Sequence, residues 1–146
     1  MKKGFDYIGV TICFYCYDGK GKLLLQKRSK NCSDEQGRWD CGGAAVRFGE
    51  TFERAVKREL KEEYCIDISN NNIQFCGVNN VLRKHNGKQT HWIAVVFGCL
   101  VDPKKVRIGD PVKMADIGWF YPNKLPKPLH SMYLTHLEFV KKASIL

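Results

Sequence analysis

Long hydrophobic runs are absent from this chain. No stretch reaches the ~20 apolar residues of a membrane span, and the opening MKKGFDYIGVTICFYCYDG is interrupted by Asp6 and Asp18. Alternation within that opening, with no small-residue cleavage site after it, argues for a strand rather than a signal sequence. A cytoplasmic protein without a membrane partner is expected. Repeats, linkers and low-complexity segments are also missing, so residues 1–146 read as a single domain with room for a real core. Acidic residues are scarce beside basic ones: 15 Asp and Glu against 24 Lys and Arg leave a net charge of +9. Such a surface attracts polyphosphates, and RNA as a second class. No run interleaves aromatics with arginines, so a dedicated nucleic-acid module is not favoured. The seven cysteines are an odd number, scattered and often within apolar runs. That fits reduced, buried thiols better than a disulfide framework. Cys13 and Cys16 have the spacing of a redox or zinc pair, but residues three apart on a strand face opposite sides. With no second such pair and no histidine cluster, zinc is not expected.

What is present reads as strands around one central helix. Ile8, Val10, Ile12, Phe14 and Cys16 alternate with smaller or polar residues, a period-two strand. Asp18-Gly19-Lys20-Gly21 is a turn, and Leu23 to Arg28 its partner strand. A polar loop covers Ser29 to Gly37, and Trp39 to Ala45 is short extended structure. A helix follows from about Thr51 to Tyr64. Ile73 to Leu82 and His91 to Val101 read as strands joined across a polar turn at Lys84 to Lys88. Ile117 to Tyr121 is a short strand, and Pro126 or Pro128 opens a final helix reaching about Ser144. The fold class is α/β (α+β), a mixed sheet covered on two faces.

The densest signal is Ala44 to Ile66, AAVRFGETFERAVKRELKEEYCI. On a helix Glu59, Glu62 and Glu63 share one face at i, i+3 and i+4, continuing the apolar stripe of Phe52, Ala55 and Val56. Adjacent like charges at this spacing cost roughly 0.2–0.5 kcal/mol each on an exposed helix, and more where burial removes water. A hard divalent cation removes that repulsion, and carboxylate oxygens suit Mg²⁺ or Mn²⁺. The bland alternative is a solvated helix with Glu53–Lys57 and Arg58–Glu62 pairs. Against it stand the placement of the acids on the apolar face and the glycines just upstream, Gly42-Gly43 and Gly49, which let backbone approach a ligand closely.

The segment resembles the Nudix box, G-x5-E-x7-R-E-U-x-E-E-x-G-U, with Glu50, Arg58-Glu59-Leu60, Glu62-Glu63 and Ile66 in register. Ala44 stands where the box opens on glycine, Cys65 stands at its late glycine, and Gly42 replaces the usual proline before the glycine pair. No carboxylate is lost. The resemblance implies a Nudix-type α/β/α sandwich with a central mixed β-sheet. It implies metal-dependent hydrolysis of a diphosphate bond in a nucleoside diphosphate linked to a further group. The compact MutT-like form points to a nucleoside triphosphate, modified or not, cleaved to monophosphate and pyrophosphate. ADP-ribose, nucleotide-sugar and dinucleoside polyphosphate substrates, an RNA 5′-end pyrophosphohydrolase and a non-catalytic nucleotide- or RNA-binding module are the alternatives.

The resemblance further implies Mg²⁺, with Mn²⁺ as substitute, on Glu59 and Glu63. Glu62 would be a ligand, a water-activating base or both, and the Gly43 carbonyl could complete the shell. Glu50 would bind metal through water or pair with Arg58, itself an orienting residue. Substrate candidates are Lys27 and Arg28 for phosphate, Trp39 and Phe48 for the base, and Asp110 as a further acid. Asp116 is second to Asp110, whose competing role is to initiate a turn before Pro111. Tyr7, Trp92 and Tyr121 are weaker aromatic candidates, and His85 and His91 flank a loop without being assigned a role. A monomer or a homodimer is expected.

Overall fold

The computed structural model describes residues 1–146. Its strands are β1 (Gly9–Tyr17), β2 (Leu23–Arg28), β3 (Trp39–Asp40), β4 (Gly42–Ala45), β5 (Ile73–His85), β6 (Lys88–Leu100) and β7 (Met114–Phe120). Two α-helices join them, α1 (Phe52–Tyr64) and α2 (Tyr133–Lys142). All seven strands form one mixed sheet. β1 runs parallel to β6 and antiparallel to β4, and β2 is antiparallel to β7. Alternation along β1 sorts its side chains by face. Ile12, Phe14 and Cys16 pack beneath α1 with Ala55, Val56, Leu60 and Tyr64. Tyr15 and its neighbour Cys13 pack beneath α2 with Tyr133, Leu137 and Val140. The expected sandwich is therefore present, and Cys13 and Cys16 do face opposite layers. No helix is long and apolar enough to cross a membrane.

α1 begins where its sequence signals it. Thr51 is extended and its hydroxyl accepts from the Arg54 amide at 3.2 Å, taking one of the free first-turn donors. The helix ends on Cys65, which adopts the left-handed conformation with φ 61° and ψ 29°. That region costs a residue with a Cβ roughly 1–2 kcal/mol, and glycine is the usual occupant. Cys65→Gly is therefore expected to stabilise the fold by about 1 kcal/mol, raising Tm by about 2–4 °C with turnover unchanged. A thermal melt beside a rate assay checks both halves.

Two expectations need correction. The hairpin strands are longer than the hydrophobic pattern indicated: β5 reaches His85 and β6 starts at Lys88, leaving only Asn86-Gly87 as the turn. Both turn residues have positive φ, 51° and 79°, the geometry that matches strand twist, so polar residues up to the turn stay paired. The last helix is shorter than expected, starting at Tyr133 rather than Pro126 or Pro128. The segment before it is held extended along β3: the Trp39 amide donates to Pro128 O, and the His130 amide donates to Trp39 O, each at 2.8 Å.

Candidate active site

α1 turns its acids toward β4 and the loop before β7. Arg58 is the organising residue. Its Nε and Nη2 donate to the two oxygens of Glu50 at 2.7 and 2.9 Å, its Nη1 donates to Glu59, and Nη2 also reaches the Ala45 carbonyl at 3.3 Å. This fork geometry fixes both carboxylates. The Glu50 carboxyl is held down at about 2, chiefly by its hydrogen bond from Arg58. Of the two roles open to Glu50, pairing with Arg58 is the one seen.

A cavity of about 340 Å³ lies beside this cluster, lined by Glu59, Glu62, Glu63, Asp110, Gly43, Gln26, Arg28, Cys32, Ser33 and Lys113. Burial pushes the Glu63 carboxyl well above the usual range. The charges of Glu59, Asp40 and Asp110 add to that, against a hydrogen bond donated by Gln26 Nε2 at 3.3 Å. Burial also raises Glu59, with Arg58 opposing and Glu62 reinforcing. The expected metal triad is not preassembled: no three His, Cys, Asp or Glu side chains converge as a ready cage. Arg58 engages Glu59, and Glu62 lies close enough to Glu59 to push its carboxyl up further. The donor set nonetheless fits a hard divalent cation. Four carboxylates share one cavity whose arginine, Arg28, is already paired with Asp34 at 2.8 Å.

Two glycines make close approaches here. A Cβ on Gly42 would sit 2.0 Å from Phe14 and 2.7 Å from Glu63 Oε2, so the bare backbone lets the acid and β4 meet. A Cβ on Gly109 would sit 2.2 Å from the Glu62 carbonyl. The Gly109 amide donates to Glu63 O at 2.7 Å, tying the Asp110 loop to the end of α1. Gly109→Ala is expected to lose about 2 kcal/mol through overpacking and the lost bond, lowering Tm by about 4–8 °C. Asp110 should move out of the cavity with it, so turnover falls as well. A melt with native-like Tm would show the loop yields freely.

The remaining sequence candidates divide. Arg28 and Asp110 line the cavity, and Asp110 also starts the turn to Lys113, whose amide reaches its Oδ1 at 3.3 Å. Lys27 does not line it, because strand alternation turns Gln26 and Arg28 inward instead. Phe48 is fully exposed in the loop before α1. Trp39 packs edge-on against Phe120, ring centres 5.4 Å apart. Of the weaker candidates, Trp92 and His85 line a second cavity, whereas Tyr7, Tyr121, His91 and Asp116 line neither. Ala44 sits within β4 without positive φ, and its carbonyl takes the Thr11 hydroxyl at 2.9 Å, so alanine is accommodated there.

The second cavity, about 430 Å³, adjoins the first through Gln26, Arg28, Ser33, Gly43 and Glu63. A polar network along its wall was not anticipated. Glu35 accepts from the Ser131 amide at 2.7 Å and hydroxyl at 2.9 Å, contacts His130 at 2.8 Å and pairs with Arg83 at 2.5 Å. Arg83 also approaches Asp34 at 3.6 Å. Its members come from the 29–38 loop, β5 and the segment before α2, so no local spacing announces them.

The NUDIX domain family model matches residues 7–143. A MutT NUDIX hydrolase from Burkholderia pseudomallei superposes with a TM-score of 0.80 at 30% identity, covering 92% of this chain and 99% of that one. The NUDIX domain of Shewanella oneidensis NrtR, solved with ADP ribose, superposes at 0.74 over 96% of this chain and 90% of that one. Its identity is 17%, a likeness of fold. An uncharacterized Nudix hydrolase of Listeria innocua is 38% identical over 79 residues, 51% of this chain and 45% of that protein. The dihydroneopterin triphosphate diphosphatase of Escherichia coli K12 is 34% identical over 61 residues, 42% of this chain and 37% of that protein. The chain thus spans less than half the length of these curated relatives. A match that starts just ahead of β1 and ends just past α2 makes this chain a member of the Nudix family.

Proposed function

We propose that the chain hydrolyses a diphosphate bond in a nucleoside diphosphate linked to a further group, with nucleoside triphosphates, modified or not, as the preferred class. Nucleoside monophosphate and pyrophosphate are then the products. One observation carries this reading: the carboxylate-lined cavity opens directly beside a larger one of a size that takes a small ligand. The name of the Escherichia coli relative, a triphosphate diphosphatase, supports the triphosphate preference.

Glu59, Glu62 and Glu63, with the Gly43 carbonyl, would hold Mg²⁺. When bound, it supplies neutralisation of phosphate charge and a more acidic water. The rest is the work of this chain's side chains. Arg58 and Glu50 orient Glu59. Glu62, exposed at the cavity wall and outside the bidentate Arg58–Glu50 clamp, receives the proton of the attacking water. Arg28 and Lys113 line the same cavity and would supply positive charge to the phosphates.

The test is product chromatography with Mg²⁺ present or chelated, across nucleoside triphosphates, ADP-ribose, nucleotide sugars, dinucleoside polyphosphates and triphosphorylated RNA. Metal-dependent monophosphate from the triphosphates supports the proposal. Turnover confined to triphosphorylated RNA, steeply reduced by salt, would favour the reading suggested by the +9 charge. Silence from folded protein would overturn hydrolysis.

A further inference from the structure

Glu35 has a backbone φ of 46°, in the left-handed region that disfavours any residue with a Cβ. Strain of this kind persists only where the surroundings hold it. Here the side chain holds it. One carboxylate takes the amide and hydroxyl of Ser131, the His130 ring and the Arg83 guanidinium. His130 Nδ1 accepts from the Met132 amide at 3.1 Å, so its proton sits on Nε2 and is donated to Glu35. Exposed ion pairs contribute little. Glu35 and His130 are only 14% and 12% exposed, and the carboxylate gathers donors from two separate segments.

The contact crosses the sheet. Glu35 lies in the loop after β2 and Arg83 on β5, with β1 and β6 between those strands. Three strand spacings, about 14 Å, separate β2 from β5. The loop therefore reaches over the strands whose Thr11 and Ala94 line the larger cavity. Ser33 and Asp34 of the same loop line that cavity as well. Asp34 takes Arg28 twice, Nη2 on its carboxylate at 2.8 Å and Nε on its carbonyl at 3.2 Å. Arg28 lines both cavities.

We infer that Glu35 is a positioning residue for substrate phosphate: its carboxylate fastens the 29–38 loop across the sheet, and the fastened loop fixes Asp34, which aims Arg28. Glu35 itself touches no part of the substrate. Without the fastening Arg28 keeps its charge but loses its fixed aim. Substrate affinity then falls, whereas the chemical step, carried by the acids of α1, is spared. The effect on phosphate rests on the proposed hydrolysis; the fastening of the loop does not.

Glu35→Gly tests this, because glycine suits the left-handed backbone and removes only the anchor. Hydrogen exchange is measured first. Residues 29–38 and the segment before α2 should exchange faster in the variant, with the rest of the chain at wild-type rates. Unchanged exchange would overturn the fastening. Calorimetry then follows binding of a nucleoside triphosphate analogue with a methylene α–β bridge, in Mg²⁺. Affinity is expected to fall by about tenfold. KM for the triphosphate should rise by a similar factor while kcat stays within about twofold. Glu35→Gln keeps an oxygen for the Ser131 amide and should lose less. In an Arg28→Ala background, Glu35→Gly should cost no further affinity. A full further loss there would overturn the route through Arg28, and so would unchanged affinity in the single variant. Analogue binding that weakens as expected, in a protein whose wild type turns over no nucleotide, would leave the positioning standing and count against the hydrolysis alone.

Discussion

Glu63→Gln is expected to make the metal-free protein more stable and nearly inactive. In the wild type this residue is half-buried, its carboxyl is crowded by Glu59, Asp40 and Asp110, and its charged form is disfavoured by lost solvation and those charges. A buried charge without a matched partner is a net liability to the fold. The amide has the same shape, carries no charge and keeps an oxygen for Gln26 to donate to. Relief of about 1 kcal/mol is expected, raising Tm in chelator by about 2–4 °C. Turnover should drop by about two orders of magnitude or more, since a cation ligand is lost. Glu62→Gln separates the two effects. Glu62 is exposed, so its amide should leave Tm unchanged and lower turnover by a similar factor. Paired melts and rates decide the matter: a destabilised Glu63→Gln protein would mean that the acid is structural.

Stability of the metal-free protein is expected to fall as pH rises, and Mg²⁺ to restore it. Glu59 and Glu63 have folded-state pKa values above the ordinary 4.5. Below 4.5 both are protonated in either state and cost nothing. As pH climbs through the raised folded values, the unfolded chain releases protons that the folded one retains, and stability is lost. Glu50 works the other way. Held at about 2, its contribution is complete above 4.5 and disappears as pH falls toward 2. Mg²⁺ binds the ionised acids, so its effect grows over the same upward window. At a hundredfold excess over Kd it adds about 2.7 kcal/mol, or about 5–10 °C. Melts in chelator and in Mg²⁺ at about pH 5 and about pH 8 test this; a Mg²⁺ shift independent of pH would remove Glu59 and Glu63 as ligands.

The central helix and its acids were legible because their signals are local. Thr51 caps where a hydroxyl can reach an amide three residues on, and the i, i+3, i+4 spacing of Glu59, Glu62 and Glu63 dictates a shared face. The glutamate face and the Arg58 clamp follow from one helix and one loop. Phase along β2 was harder. Leu23, Leu24 and Leu25 are buried on both faces, so hydrophobicity does not say whether Gln26 or Lys27 turns inward. The Glu35–Arg83–His130 network joins three segments distant in sequence and has no periodic trace. The start of α2 was misplaced because prolines open helices elsewhere, whereas here the backbone around Pro128 is engaged by Trp39.

The parallel pairing of β1 with β6 also governs how the chain reaches this structure. On one of its edges β1 pairs Gly9 through Tyr17 with Trp92 through Leu100, so the middle of the sheet joins segments about 80 residues apart. Such long-range closure slows folding relative to local contacts. The β5–β6 hairpin, turned tightly at Asn86-Gly87, can form early on its own. It presents β6 as a template on which β1 must later dock. The order of synthesis is the reverse: β1 emerges first, and the edge that β6 will cover waits for a strand not yet made.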